Sequence, residues 1–262
     1  MIPKIIHYCW FGGNPKPDDV KHYLASWKKY CPDYEIREWN ESNFDINENA
    51  YCREAYEAKK WAFVTDYVRL KALYEYGGFY MDTDVEVVKS LEPLRVYDAL
   101  SGYESPTHIP TGTMGACRDN EWIGMLLRDY DNRHFILEDG TLDMTTNVIV
   151  ITELTVKKYG IHLNGEMTPF GNNMMLLPFD YLCAKSYQTG EVTQTKNTFT
   201  IHHFAGSWAS DEVKERSRFM KEYYAQLGWI PMEGLRKKTA SILAYRKQGG
   251  WSGVLRKIMS KV

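Results

Sequence analysis

Cysteine is sparse and unpatterned in this chain: Cys9, Cys31, Cys52, Cys117 and Cys183 are odd in number, widely spaced and include no C-x-x-C pair. That excludes a disulfide framework or a cysteine zinc site as the organising feature, and it points to a reducing compartment. Long apolar runs are missing as well. The opening Met1-Ile2-Pro3-Lys4-Ile5-Ile6 reads as a short strand, so neither a signal peptide nor a transmembrane segment is expected. No sign of charge dominates, with 32 Lys and Arg against 34 Asp and Glu, and a nucleic-acid partner is therefore not expected. Repeats and low-complexity tracts are also lacking. What remains is a 262-residue chain, 44% hydrophobic and 25% charged, long enough to bury the core of one large α/β domain. Aromatic residues are plentiful, with 8 Trp and 19 Tyr, and beyond their use in a core such rings stack on sugars and bases.

Periodicity and punctuation divide the chain into alternating elements. A buried strand is expected over 2–9, a helix over 18–30 between Pro17 and Pro32, and a strand over 34–39. Helices follow over 49–59 and 61–76, the second ended by Gly77 and Gly78 in a left-handed cap. Further strands are expected at 79–82, 85–88, 99–103, 113–117, 174–177 and 199–204, and helices at 121–129, 144–158 and 211–227. Such alternation predicts an α/β fold with a largely parallel, mixed sheet flanked by helices. From Leu235 onward the chain carries eight Lys or Arg and no acid, interleaved with Ile242, Leu243, Tyr245, Trp251 and other apolar residues. This reads as a basic amphipathic helical tail, 233–262, appended to a domain spanning 1–232. Residues 235–262 are suited to an anionic membrane surface.

One stretch carries chemistry: Gly77-Gly78-Phe79-Tyr80-Met81-Asp82-Thr83-Asp84. An apolar strand leaves a glycine stop and ends in two aspartates, which as alternate strand residues are expected to project the same way. Open α/β sheets bind ligands at the C-terminal ends of their strands. Two carboxylates there form a hard oxygen site for Mn²⁺ or Mg²⁺. The triplet alone means little, because a chain with 15 Asp yields about one Asp-x-Asp by chance. Asp129-Tyr130-Asp131 is the internal control, at the end of an expected helix where residues two apart diverge.

The surroundings of Asp82 and Asp84 make the difference. The run from Trp61-Ala62-Phe63-Val64-Thr65-Asp66-Tyr67-Val68-Arg69-Leu70 through Leu73-Tyr74-Glu75-Tyr76 to the aspartates resembles the sugar-binding region of glycosyltransferase family 32. More distantly it resembles the glucosylating domain of large clostridial toxins. Ile2-Pro3-Lys4-Ile5-Ile6-His7-Tyr8-Cys9-Trp10-Phe11-Gly12 resembles that family's opening strand, and the likeness returns near 199–208.

The resemblance implies a GT-A type, Rossmann-like fold, a nucleotide-sugar donor, a divalent metal and retention of anomeric configuration. Asp84 would bind the metal directly and Asp82 would bind it through water or contact the donor. Asp66 and Arg69, one helical turn apart, would grip the donor sugar and phosphate. His203, in His203-Phe204-Ala205-Gly206, would complete the metal shell, with His202 the alternative because the two face opposite sides of a strand. Ser207 and Trp208 would contact the leaving diphosphate, and Asn147 the sugar. Tyr8 and Trp10, alternate residues of the first strand, would stack the donor's base.

The expected activity is transfer from a UDP-sugar, with GDP-mannose the alternative donor, to a saccharide or lipid-linked oligosaccharide in surface polysaccharide assembly. The expected location is cytoplasmic, at the inner membrane face. A metal-dependent phosphohydrolase and a non-catalytic carbohydrate- or membrane-binding module are the competing readings.

Overall fold

The computed structural model describes residues 1–110, 112–206 and 209–259. Its strands are β1 (Ile5–Cys9), β2 (Glu35–Trp39), β3 (Gly78–Met81), β4 (Val85–Val87), β5 (Ala99–Gly102), β6 (Thr113–Ala116), β7 (Thr168–Phe170), β8 (Met174–Leu177) and β9 (Thr200–His202). Its helices are α1 (Asp18–Tyr30), α2 (Ala50–Glu57), α3 (Trp61–Tyr76), α4 (Glu121–Arg128), α5 (Asn147–Tyr159), α6 (Phe179–Leu182), α7 (Asp211–Gln226) and α8 (Glu233–Met259). Two compact units result: Met1–Lys185 with Thr193–His203, and Ser186–Val192 with Phe204–Val262.

The first unit is an α/β layer structure. Seven strands form one sheet in the order β2-β1-β3-β6-β5-β8-β7, and β4 pairs with β9 in a separate two-stranded sheet. Parallel pairings join β2 to β1, β1 to β3 and β5 to β8; the other three in the large sheet are antiparallel. The expected mixed sheet flanked by helices is present, with parallel and antiparallel pairings in equal number rather than largely parallel.

Strand β3 lies near the middle and is buried on both faces, as its unbroken apolar sequence requires. Tyr80 enters the core layer built with α2, α3, α4 and α5, while Phe79 and Met81 enter the layer that holds Trp27 of α1. The two glycines before it are needed for space as well as conformation. Gly77 has φ 64° and ψ −168°, a mirror-extended conformation rather than the expected left-handed cap. A Cβ at Gly78 would sit 2.6 Å from the carbonyl oxygen of Ile5 on the neighbouring strand. The chain therefore turns from α3 into the sheet within two residues.

The second unit is built around α7 and α8. Arg236 of α8 lies 3.7 Å from the centre of the Tyr224 ring and donates to the Tyr224 carbonyl at 2.8 Å. Gln248 donates to the Glu212 carbonyl at 2.6 Å, tying the far end of α8 to the start of α7. The basic tail is helical as expected, but Gly249 and Gly250 leave helical geometry, with Gly250 at φ 60°. A Gly-Gly pair concentrates the two weakest helix formers short of proline, which accounts for the break.

Candidate active site

Asp82 and Asp84 follow the C-terminal end of β3, but not on a continuing strand. The chain turns there: the Val85 amide donates to the Asp82 carbonyl at 3.0 Å, and β4 begins after it. The two carboxylates converge because the turn folds them together, not because strand alternation aligns them. The Asp82 amide is anchored to the Gly112 carbonyl at 2.9 Å.

Asp82 is held from below by two groups. The Tyr80 hydroxyl donates to its Oδ1 at 3.0 Å, and Arg69 Nη1 approaches the same oxygen at 3.3 Å. Arg69 also pairs with Asp66, Nη2 to Oδ1 at 3.1 Å, and its guanidinium lies 4.6 Å from the Tyr80 ring centre. Arg69 and Asp66 are buried, so α3 carries a charged pair inside the core. Such a pair is retained only where further partners satisfy it. Asn147, the first residue of α5, supplies one by donating Nδ2 to Asp66 Oδ1 at 2.5 Å.

One guanidinium thus serves two carboxylates. Burial pushes Asp66 up to about 7, with Arg69 pulling against it and Asp82 adding to the rise. Burial works against the charge on Arg69, but Asp82, Tyr80 and Asp66 more than offset it.

The register of β4 against β9 places the histidines. His202 stands opposite Val85, the residue after Asp84, and Glu86 stands opposite Ile201. His202 Nε2 lies 3.3 Å from Asp84 Oδ1. Single ligand atoms of Asp82, Asp84 and His202 all fall within 4.8 Å of one another, the one such grouping among the described residues.

The expectation of His203 as third ligand needs correction. Its backbone amide donates to the Asp84 carbonyl, but its ring turns away, with Nε2 2.9 Å from Glu86 Oε2 and the ring stacked on Tyr23 at 4.6 Å. In an antiparallel pair the face of each residue is set by its partner, and this register puts His203 on the side of Glu86. Burial opposes a charge on His202, but Asp84, Cys183 and Asp82 carry it well above the ordinary histidine range.

Two carboxylates and an imidazole are a fitting donor set for Mn²⁺, and less so for Mg²⁺. The contacts to Asp82 from Tyr80 and Arg69 both use Oδ1, which leaves Oδ2 for a ligand role.

The other expected site residues divide. Asn147 is brought to Asp66. Tyr8 is buried, its hydroxyl bonded to Glu38 and its ring edge-on to Trp27 at 5.6 Å. Trp10 is partly exposed, donates Nε1 to the Asn14 carbonyl at 2.7 Å, and lies under the Lys16 ammonium at 5.7 Å. Only Trp10 therefore offers a surface to a base. Ser207 and Trp208 lie outside the described residues.

Sequence reading missed Tyr80, Glu86 and Tyr23. It also missed Glu104, just beyond β5. Burial raises the Glu104 carboxyl, while nearby His202 and His108 lower it. Glu86 and Tyr80 were findable as neighbours of the aspartates in sequence; Tyr23 and Glu104 had no local signal.

Comparison with known proteins bears on the segment that contains this site. Residues 17–101 match a family described as "glycosyltransferase sugar-binding region containing DXD motif", a span that includes Asp66, Arg69, Asp82 and Asp84. The chain is similar to inositol phosphoceramide mannosyltransferase 3 of Schizosaccharomyces pombe, 30% identical over 146 residues, covering 51% of this chain and 40% of that protein. It is also similar to mannosyl phosphorylinositol ceramide synthase SUR1 of Saccharomyces cerevisiae, 26% identical over 147 residues, covering 52% and 37% respectively. The chain thus spans about two fifths of the length of these relatives. Among solved structures, PaToxG glycosyltransferase superposes with a TM-score of 0.44 at 20% identity, over 60% of this chain and 70% of that one. The chain thus has a mixed sheet flanked by helices and an Asp-x-Asp turn at the end of β3, inside the segment that is similar to the DXD-containing sugar-binding region of glycosyltransferases.

Proposed function

We propose that this protein transfers a glycosyl group, with retention of configuration, from a nucleoside diphosphate sugar to a saccharide-bearing acceptor, with Mn²⁺ held by Asp82, Asp84 and His202. The observation that carries the reading is the convergence of those three side chains over the buried Arg69–Asp66 pair. A cation bound there supplies neutralisation of the charge that builds on the departing diphosphate. Arg69 fixes Asp82 in place and, with Asp66 and Asn147, forms a buried polar layer beneath the carboxylates. In the transfer step the anomeric carbon's bond to the diphosphate oxygen breaks, and the acceptor oxygen bonds to that carbon on the same face. The acceptor's proton passes to the departing phosphate oxygen, so no side chain is assigned as base.

Both relatives are named for mannosyl transfer, and on that ground the first choice of donor becomes GDP-mannose rather than a UDP-sugar. Surface polysaccharide assembly and an inner-membrane location remain proposals. They are supported by the basic tail and by the exposure of Trp229, Met232, Leu235 and Trp251 in the second unit. No helix among the described residues is long and apolar enough to cross a membrane. The test is a panel of nucleotide sugars with Mn²⁺, scored by nucleotide release and by sugar transferred to acceptor. GDP-mannose is expected to give the highest rate. Free sugar from every donor with no transfer to any acceptor would instead indicate a phosphohydrolase.

A further inference from the structure

The second unit contains a cavity of about 300 Å³ that the donor chemistry does not use. It is lined by Tyr187, Phe204, Lys214, Ser217, Arg218 and Lys221, together with the small residues Ala205, Gly206 and Ala209. The size falls at the lower end of small-molecule sites. Its wall from α7 repeats at helical spacing, since positions 214, 218 and 221 share one face. The opposite wall is aromatic: Tyr187 and Phe204 meet edge to face at 5.4 Å.

Three cations line the cavity against one acid, Glu222, which lies 3.7 Å from Arg218. Lys221 spans both walls, its ammonium 5.8 Å from the Tyr187 ring centre. Glu215 approaches Arg218 only at 4.0 Å. The lining therefore brings three cations beside two rings and a hydroxyl.

The aromatic wall is also fixed in place. Phe204 has φ 56°, a left-handed conformation that a bulky residue adopts only when its surroundings impose it. The turn that carries Tyr187 is closed by its own backbone: the Gly190 amide donates to Ser186 at 2.8 Å and the Ser186 amide to Glu191 at 2.9 Å. Glu191 is in turn paired with Arg236 of α8 at 3.6 Å. A strained residue and a stapled turn hold two rings toward a basic helix face. That arrangement suits a ligand with an apolar ring face and an anionic group on one edge.

We propose that this cavity binds a saccharide bearing a phosphate, its ring against Tyr187 and Phe204 and its phosphate against Lys214, Arg218 and Lys221. Aromatic faces accept the C–H face of a sugar ring, and the cations make charge-assisted hydrogen bonds to phosphate oxygens. In a glycosyltransferase such a ligand serves as acceptor, and that role rests on the function proposed above; the binding itself does not. The source of the phosphosugar is either a lipid headgroup or a free sugar phosphate.

The test uses the full chain and measures binding of glucose 6-phosphate by calorimetry, with glucose, inorganic phosphate and uridine diphosphate as comparators. Glucose 6-phosphate is expected to bind at least about tenfold more tightly than glucose or phosphate. The Lys214→Gln/Arg218→Gln variant, both positions being exposed on α7, is expected to lose about tenfold or more, while Mn²⁺-dependent nucleotide release from the donor stays unchanged. Tyr187→Ala is expected to weaken glucose 6-phosphate and leave phosphate alone unaffected.

Vesicles of phosphatidylcholine containing phosphatidylinositol separate the sources. Loss of vesicle binding in the double variant assigns a lipid headgroup, and retention assigns a free sugar phosphate. Unchanged glucose 6-phosphate affinity in the double variant would overturn the proposal and leave the donor site standing. Displacement of glucose 6-phosphate by uridine diphosphate without metal would overturn it too, by making the cavity a nucleotide site. Abolished donor turnover in the double variant, with glucose 6-phosphate binding intact, would likewise count against it.

Discussion

The chain contains the same triplet pattern twice, and the two copies behave differently. Asp82-Thr83-Asp84 and Asp129-Tyr130-Asp131 both sit in turns that follow a regular element. At the first, the turn leaves a strand buried on both faces, and Asp82 rests on Tyr80 and Arg69. At the second, Asp129 ends α4 and pairs with Arg133 at 3.5 Å, Asp131 is exposed, and the residue between them is buried. A third ligand reaches the first pair because β9 lies against β4. No such partner approaches the second pair among the described residues. Two aspartates become a site only when the elements around them hold the carboxylates together and deliver a further donor.

The largest effect should come from removing the better-placed ligand. Asp84→Ala is expected to lower Mn²⁺-dependent nucleotide release by about a thousandfold, as loss of transition-state charge stabilisation of this kind does. Normal turnover in that variant would erase the distinction between the two triplets.

Next in size is the support beneath the first triplet. Arg69→Ala leaves Asp66 and Asp82 without their shared cation, and breaking a buried pair costs about 3–5 kcal/mol. Urea unfolding should show that loss, and a cost below about 1 kcal/mol would mean that the pair is not buried as described.

The two histidines sharpen the comparison at the next level. His202→Ala should raise the Mn²⁺ concentration needed for half-maximal activity by about ten- to a hundredfold, while His203→Ala should change it little. The reverse ranking would restore His203 as the ligand and require a different β4–β9 register.

A smaller effect is expected in the pH dependence of stability. Burial raises the Asp66 carboxyl in the folded protein to about 7, from the ordinary 3.8 of an exposed aspartate. The folded state therefore binds the proton more tightly than the unfolded state. The contribution is fully present below about 4 and is lost as pH rises through about 7. Asp66→Asn removes this term, so its stability relative to the natural protein should climb between about pH 4 and pH 7. A flat difference across that window would place Asp66 outside the buried network.

Much of this was legible in the sequence, and the failures have physical causes. Helix α3 and strand β3 were readable because an apolar periodic run, two glycines and an unbroken apolar strand follow one another. Asp66 and Arg69 were readable as partners because residues three apart share a helix face. The aspartates were placed correctly for the wrong local reason, since Val85 closes a turn on Asp82 where the strand was expected to continue. The choice between His202 and His203 was not legible. It depends on a pairing between residues more than 100 positions apart, and a one-residue shift exchanges their faces. Strand β7 and helix α6 were missed because three or four residues hold too little periodicity to register. The break at Gly249-Gly250 was visible in the sequence, but the uniform charge of the tail drew the reading toward a single helix.

The most direct test is Mn²⁺ binding followed by electron paramagnetic resonance, which reports free ion, on the natural protein, Asp84→Asn and Asp131→Asn. The account predicts one bound ion in the natural protein and in Asp131→Asn, and none at the same concentration in Asp84→Asn. Equal binding in all three, or loss of binding in Asp131→Asn alone, would contradict it.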